Sequence, residues 1–506
     1  MQKVAKVLTL APLGFDGSLI EVESDTSRGL PSLQIVGLGN KAIDEAKERV
    51  RSAIVNSLLE YPKLRITINL APAELPKDGT HYDLPIALAI LTSSAQLRQE
   101  SLAGSAFAGE LALDGSLRPI KGAIIMAEAA KKAGLHTLFL PHHNAEQANL
   151  VKGITIIPVD SIKALFLHLK QEKVIQPLQH KNSSSRRPHD SIEGPFLDDI
   201  YGQEQAKRAL TIAAAGHHNI LLSGPPGAGK TLLAKTLANL LPSLTPEEQI
   251  AITKLHSLTS EVVEAIHQRP FRSPHHTSSR AALIGGGTKP KPGDISLAHL
   301  GVLFLDEIPE FPRSILESIR QPLEDKVVTI SRTNGHLTFP ADFMLVATMN
   351  PCPCGFYGDP TKECTCSSSQ ILSYQKRLSG PLLDRIDLTI RVSRVPNDSL
   401  LQPNSMFKKR HIESKNIIEL ANITQSNRYK SSSKNNANVS SKQLTETANL
   451  TPEARSLLTL ATDKLQLSAR SYFKVIRVAR TIADIDNQHD ILARHVSEAL
   501  QYRQST

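Results

Sequence analysis

The feature that leaves this chain the least freedom is the run Gly224, Pro225, Pro226, Gly227, Ala228, Gly229, Lys230 and Thr231. It follows the apolar stretch Ile220-Leu-Leu222 and precedes Leu232-Leu-Ala-Lys-Thr-Leu-Ala-Asn-Leu240. A buried strand, a glycine-rich turn and a helix, in that order, give the phosphate loop G-x-x-x-x-G-K-[ST] the context it needs. The glycines let backbone N–H groups curl round a triphosphate at the helix N-terminus, where unpaired amides and the helix dipole favour anions. Lys230 is then predicted to reach the β- and γ-phosphates of ATP, and Thr231 to ligate Mg²⁺. A turn that merely joined strand to helix would have no use for the Lys-Thr pair.

A second stretch, Gly301-Val-Leu-Phe-Leu-Asp-Glu307, points the same way. Four apolar residues predict a buried parallel strand, with two carboxylates where it leaves the sheet. Asp306 would complete the Mg²⁺ shell, and Glu307 would orient and deprotonate the attacking water. An acidic strand end is a weak sign alone. Downstream of a phosphate loop it is a strong one, because both loops are then expected at the carboxyl ends of neighbouring strands.

With 506 residues the chain should hold two or three domains. Its composition, 40% hydrophobic and 21% charged, is that of a globular protein and excludes a fibrous or disordered class. The N-terminus has too short an apolar core for a signal peptide, and Leu84-Pro-Ile-Ala-Leu-Ala-Ile-Leu91 is far too short to span a bilayer. A cytoplasmic protein with no membrane partner is expected. The net charge of +9 is compatible with a polyanionic partner without requiring one.

Two polar seams divide the chain, His180–Asp190 and Ser426–Asn438. From Leu401 to Lys442 there are eight Lys or Arg against two Glu, which reads as a solvated basic linker or, alternatively, a phosphate-contacting one. All four cysteines, Cys352, Cys354, Cys364 and Cys366, fall in one span as CxC…CxC. In a reducing compartment that pattern suits a small tetrahedral Zn²⁺ knuckle, with free or redox-active thiols as the other reading. His275 and His276 have no nearby acidic or cysteine partner and are expected to serve packing. Lys289 and Lys291 follow three glycines in a basic loop ahead of the acidic strand end.

Resemblances to known families enter on particular motifs. Pro76-Lys-Asp-Gly79, Gly109-Glu-Leu-Ala-Leu-Asp-Gly-Ser-Leu-Arg-Pro-Ile120 and Leu140-Pro-His-His-Asn144 resemble successive landmarks of the proteolytic domain of Lon. That resemblance implies a nucleophilic Ser after the Lys-Asp-Gly turn and a Lys further on. This sequence has His81 and Met126 near those places, so the fold is expected to be shared and the peptidase absent. His81 and Asp83 are expected to form a hydrogen-bonded structural pair.

The segment from Ile200 to Leu210, with Tyr201, resembles the one that closes over adenine in AAA+ ATPases. Val327-Val-Thr-Ile-Ser-Arg and His336-Leu-Thr-Phe flank Thr333-Asn-Gly335, a tight-turn signal. A hairpin there marks an AAA+ clade that includes magnesium chelatase and the replicative helicases of archaea and eukaryotes. In that clade it projects into the pore of a ring, which makes Arg332 a candidate phosphate contact. Asn350, ending Phe343-Met-Leu-Val-Ala-Thr-Met-Asn350, resembles the water-polarising sensor 1. Leu382-Leu-Asp-Arg-Ile-Asp-Leu388 resembles the arginine-finger segment, which implies that Arg385 reaches the γ-phosphate on a neighbouring subunit, with Arg377 as second candidate. Leu467 to Tyr472 and Val475 to Ala483 resemble the sensor 2 helix. Arg470 is the residue expected on the nucleotide in cis, with Arg477 and Arg480 as alternatives.

Together these landmarks resemble the YifB/ComM family of magnesium-chelatase-like bacterial proteins. The resemblance implies an α/β chain with a Lon-protease-like but non-catalytic domain at 1–170, a linker at 171–195 and an AAA+ P-loop core with a parallel sheet at 196–400. A basic linker at 401–445 and an α-helical C-terminal lid at 446–506 would follow. It also implies a homohexamer that uses ATP and Mg²⁺ to move branched or single-stranded DNA, as in branch migration during recombination and natural transformation. The alternative is a magnesium-chelatase-type motor subunit remodelling a protein partner, to which the Lon-like domain and the cysteine knuckle would be extra.

Overall fold

The computed structural model describes residues 4–36, 41–75, 77, 79–179, 194–259, 264–287, 290–332, 335–360, 362–395, 408–431 and 434–503. The chain divides into two units, one formed by Met1–Arg186, Thr245–His267 and Leu337–Phe339, the other by Arg187–Leu244, Gln268–His336 and Pro340–Thr506. Within the span 196–400, residues 245–267 and 337–339 are counted with the first unit.

The first unit is built on a seven-stranded mixed sheet. Its order is Ser32–Val36, Arg65–Ala71, Asp16–Ser27, Val4–Leu13, Ser105–Phe107, Thr137–Pro141 and Thr155–Val159. The helix Asp83–Ser93 lies against it, and its apolar run Leu84 to Leu91 is wholly buried. A segment apolar on every side has to be enclosed, and in eleven residues it is a core helix. The helix Pro246–Ser257 belongs to this unit too: the Gly122 N–H donates to the Ser257 carbonyl (3.1 Å), and Lys254 pairs with Glu128 at 2.7 Å. Thr245 and Glu248 close its N-terminus with a capping box.

The expected His81–Asp83 pair is not formed. Asp83 accepts from Arg49 Nε (2.8 Å) and Nη2 (3.0 Å) and from the Leu111 amide. Burial pushes Asp83 up to about 6, against the pull of Arg49. His81 is buried with its ring on Tyr82, 4.1 Å between centroids, and burial lowers it to about 4. Met126 is buried in the helix Ala123–Lys132. Neither position supplies the Ser or the Lys of a peptidase dyad.

The second unit holds a five-stranded sheet ordered Phe271–Arg272, Val302–Leu305, Met344–Met349, Ile220–Ser223 and Leu388–Arg391, with every pairing parallel. Val302–Leu305 and Met344–Met349 are buried along their whole lengths, which is why they read as unbroken apolar runs. The acidic strand is not the immediate neighbour of the phosphate-loop strand. Met344–Met349 lies between them and brings Asn350 to the middle of the carboxyl edge.

The segment expected to be a basic linker is largely ordered into this unit. Lys409–Tyr429 is a 21-residue helix whose His411, Ile418, Ala421, Gln425 and Tyr429 are buried. Those five share one stripe, while Lys409 and Arg410 stay at the surface and Arg428 turns inward to pair with the buried Asp484, so overall polarity hid the helix. Asn436, inside the second polar seam, is completely buried and bonded to Thr481 and Asp484. The helices Pro452–Leu465, Ala469–Ile485 and Ala493–Gln501 follow. Ala479, Ile482 and Val496 from them share one apolar core with Ile220, Leu222 and Leu237. Among the described residues no helix is long and apolar enough to cross a membrane.

Candidate active site

The phosphate-loop strand ends at Ser223, and the chain turns at Gly224 directly over the next strand's exit. A Cβ on Gly224 would stand 2.2 Å from the Val392 carbonyl oxygen, so no other residue fits there. The loop runs from Pro225 through Pro226, Gly227 and Ala228 to Gly229, the N-cap of the helix Lys230–Leu240. Lys230 folds back over it. Its Nζ donates to the carbonyls of Gly224 (2.6 Å) and Pro225 (3.0 Å) and to Asn350 Oδ1 (3.0 Å). Burial lowers the Lys230 pKa, and Asp306 and Glu307 oppose that shift.

Thr231 Oγ1 lies 3.5 Å from Asp306 Oδ2, so the two groups expected to share Mg²⁺ face each other. Thr348 organises the acidic end: its hydroxyl donates to Asp306 Oδ1 (2.5 Å) and accepts from the Glu307 amide (2.9 Å). Sequence reasoning missed Thr348, although alternation along the strand ending at Asn350 puts it on the side opposite its neighbours. Glu307 takes φ +51° and ψ +54°, a left-handed conformation costly for a side chain with a Cβ. The carboxylate is held where a relaxed strand end would not leave it.

Tyr201 is half-buried just after the turn Leu197–Asp199. The nearby residue that touches the loop is Gln203, also missed, whose Nε2 donates to the carbonyls of Ala228 (2.9 Å) and Ser393 (3.1 Å). Arg385 and Arg470 come together on one carboxylate. Arg385 Nη2 is 2.6 Å and Arg470 Nη2 2.7 Å from Glu324 Oε1, near the end of the helix Arg313–Asp325. Arg470, expected on its own subunit's nucleotide, thus stands beside the finger candidate, because Glu324 supplies the counter-charge there. Glu324 is lowered by hydrogen bonds from both, Arg385 first.

Arg377 bonds Glu310 and the Pro309 carbonyl, each at 3.3 Å. Arg477 donates to the Val439 carbonyl (2.9 Å). Arg480 is fully buried against Asp484 and the carbonyls of Gln488 and His489, and is a core residue. The rings of His275 and His276 meet at a tilt of 34°, 4.1 Å between centroids, and His275 bonds Thr277. Lys291 is exposed on a short strand paired with Gly285–Gly286. Arg332 ends the hairpin strand Val327–Arg332, which pairs with Gly335–Pro340. Lys289 and the hairpin tip at 333–334 lie outside the described residues.

Directly after Asn350 the four cysteines converge, all unbridged, with their sulfurs within 4.8 Å of one another. Cys352 Sγ is 3.3 Å from Cys354 Sγ and 3.7 Å from Cys364 Sγ, and Cys354 and Cys364 are 3.6 Å apart. Backbone amides of Cys354 and Tyr357 donate to Cys366 Sγ (3.4 Å) and Cys352 Sγ (3.3 Å).

Comparison with known proteins agrees with this geometry. Residues 196–400 match the family described as magnesium chelatase, subunit ChlI. Residues 411–503 match its C-terminal region, and 22–144 match subunit ChlI of Mg-chelatase. The first domain therefore does not by itself separate the chain from that subunit. The chain is 42% identical over 503 residues to a protein called YifB in Escherichia coli (strain K12), covering 98% of this chain and 96% of that one. It is 42% identical over 504 residues to competence protein ComM of Haemophilus influenzae, covering 99% and 97%. It is 36% identical over 511 residues to an uncharacterised protein, Rv2897c, of Mycobacterium tuberculosis, covering 99% of each.

Proposed function

The chain belongs to the YifB/ComM family of magnesium-chelatase-like AAA+ ATPases, and from that premise we propose that it is a cytoplasmic, ring-forming motor that couples ATP hydrolysis to movement of branched or single-stranded DNA, as in branch migration. The observation that carries the reading is the convergence of Lys230, Thr231, Asp306, Glu307 and Asn350 on one carboxyl edge of the parallel sheet. ATP with Mg²⁺ would supply the phosphoryl chemistry. Lys230 would exchange its carbonyl partners for phosphate oxygens, Thr231 and Asp306 would hold the metal, and Asn350 and Glu307 would fix and deprotonate water. Arg385 and Arg470, held together on Glu324, would act on the nucleotide of a neighbouring copy, so that turnover depends on ring assembly. Arg332, Lys289 and Lys291 are the DNA contacts on this reading. Zn²⁺ suits the thiolate set of the four cysteines.

The relation to a protein named for competence supports DNA as the cargo. The matches to magnesium chelatase favour a second reading, a motor that remodels a protein partner. Strand exchange on a synthetic four-way junction with ATP separates the two. Product with the wild type and none with Glu307→Gln is expected. Junction binding without ATP-dependent product would leave only a DNA-binding ATPase.

A further inference from the structure

The cysteine cluster lies against the nucleotide site. Cys352 comes two residues after Asn350, whose side chain receives Lys230. The turn inside the knuckle presses on the phosphate loop: at Gly355, with φ +85°, a Cβ would be 2.6 Å from Pro226 Cδ and 3.9 Å from Asn350 Cγ. Beyond it, Phe356 is flanked by the cations of Lys362 (4.2 Å) and Arg394 (5.4 Å). Gln375 ties the following helix to the Pro351 carbonyl (3.1 Å).

The sulfurs are spaced for a metal. Zn–S bonds of about 2.3 Å in a tetrahedron put sulfurs about 3.8 Å apart, and the three measured separations run from 3.3 to 3.7 Å. The two amides that donate to sulfur are the outer contacts that orient such ligands. A fifteen-residue loop, Cys352 to Cys366, has little apolar mass of its own and is half-exposed at three of the four cysteines, so its shape has to come from a cross-link.

We propose that Cys352, Cys354, Cys364 and Cys366 hold one Zn²⁺, and that the metal-bound knuckle is a wall of the ATP site which sets Pro226 and Asn350, so that ATP turnover depends on a metal that takes no part in the chemistry. Binding replaces four thiol protons, released to solvent, with four Zn–S bonds. The metal half stands independently, and the wall half rests on the ATPase reading above. Knuckle residues are positioning residues: their loss should lower kcat more than it raises KM for ATP.

The test uses the full chain. Atomic emission on the purified protein should find about one Zn²⁺ per chain, and Cys364→Ser should lose it and cut ATP turnover about tenfold or more. Gly355→Ala keeps every ligand and should retain zinc while lowering kcat, which guards against a variant that merely misfolds. Lys230→Ala should abolish turnover with zinc in place. Absence of stoichiometric zinc overturns the metal site. Zinc-free Cys364→Ser and zinc-loaded Gly355→Ala both turning over at the wild-type rate overturns the wall. A wild type that holds zinc yet hydrolyses no ATP sinks the ATPase reading and leaves the metal site standing.

Discussion

Asp83 in the first unit and Lys230 in the second are both buried ionisable groups, yet their partners differ in kind. Asp83 is matched by a counter-ion, Arg49, through two hydrogen bonds, with the Leu111 amide completing the set. Among the described residues Lys230 hydrogen-bonds neutral oxygens, two carbonyls and an amide, while Asp306 and Glu307 act on it from further off. A buried charge with its counter-ion in place is finished as structure. A buried cation lent to neutral acceptors is ready for an anion that will displace them. Asp83 in the first unit belongs to the former kind and Lys230 in the second to the latter.

The largest effect should come from the rim of the second unit. Arg385→Ala is expected to cut phosphate release by about 10³-fold, the scale of an arginine finger; a rate within a few-fold of wild type would remove Arg385 from that role. Glu307→Gln should lose about 10²-fold or more while a fluorescent ATP analogue still binds, which would separate holding nucleotide from cleaving it.

In the first unit the contrast predicts lost stability instead of lost activity. Arg49→Ala strands Asp83 and should destabilise that unit by about 3 kcal/mol in thermal or urea unfolding, with ATP turnover at low temperature unchanged. A loss of turnover without loss of stability would show that Asp83 is functional after all. Gln203→Ala removes a single link to the phosphate loop and should raise KM for ATP several-fold, worth about 1 kcal/mol.

The smallest effect is with acid. His81 titrates near 4 in the fold and near 6.5 unfolded, so above pH 6.5 it contributes nothing. Between 6.5 and 4 the unfolded chain takes up a proton that His81 in the fold refuses, which lowers stability by under about 1 kcal/mol at pH 6, while Asp83, raised to about 6, takes its proton in the fold first and offsets part of that loss. His81→Gln should flatten that slope in the first unit. An unchanged slope would place the acid sensitivity elsewhere, with His411 of the second unit, also lowered to about 4, the next to test.

The phosphate loop, the acidic strand end and Asn350 were legible because each is a short local pattern, an apolar strand followed by a chemically specific turn. Their pairing across the sheet was legible in outline, though not the strand that separates them. Thr348, Gln203 and Glu324 were not legible, since each matters only through a partner far along the chain. The same holds for Asp83, whose true partner lies a helix away, and for Arg470, whose surroundings depend on where another helix ends. Lys409–Tyr429 was obscured by polar composition spread over a narrow buried stripe. The four cysteines announced their grouping through spacing alone, but nothing in the sequence said that their turn would rest on Pro226.

The left-handed backbone at Glu307 sets two selective pressures against each other. Glycine there would relax strain of about 1–3 kcal/mol and leave a sturdier chain, while asparagine would tolerate the angle without supplying a base. A campaign that screens this protein for heat resistance should therefore keep enriching 307 variants that survive boiling better and do no work, and any lineage that drifts toward robustness at that position gives up its engine.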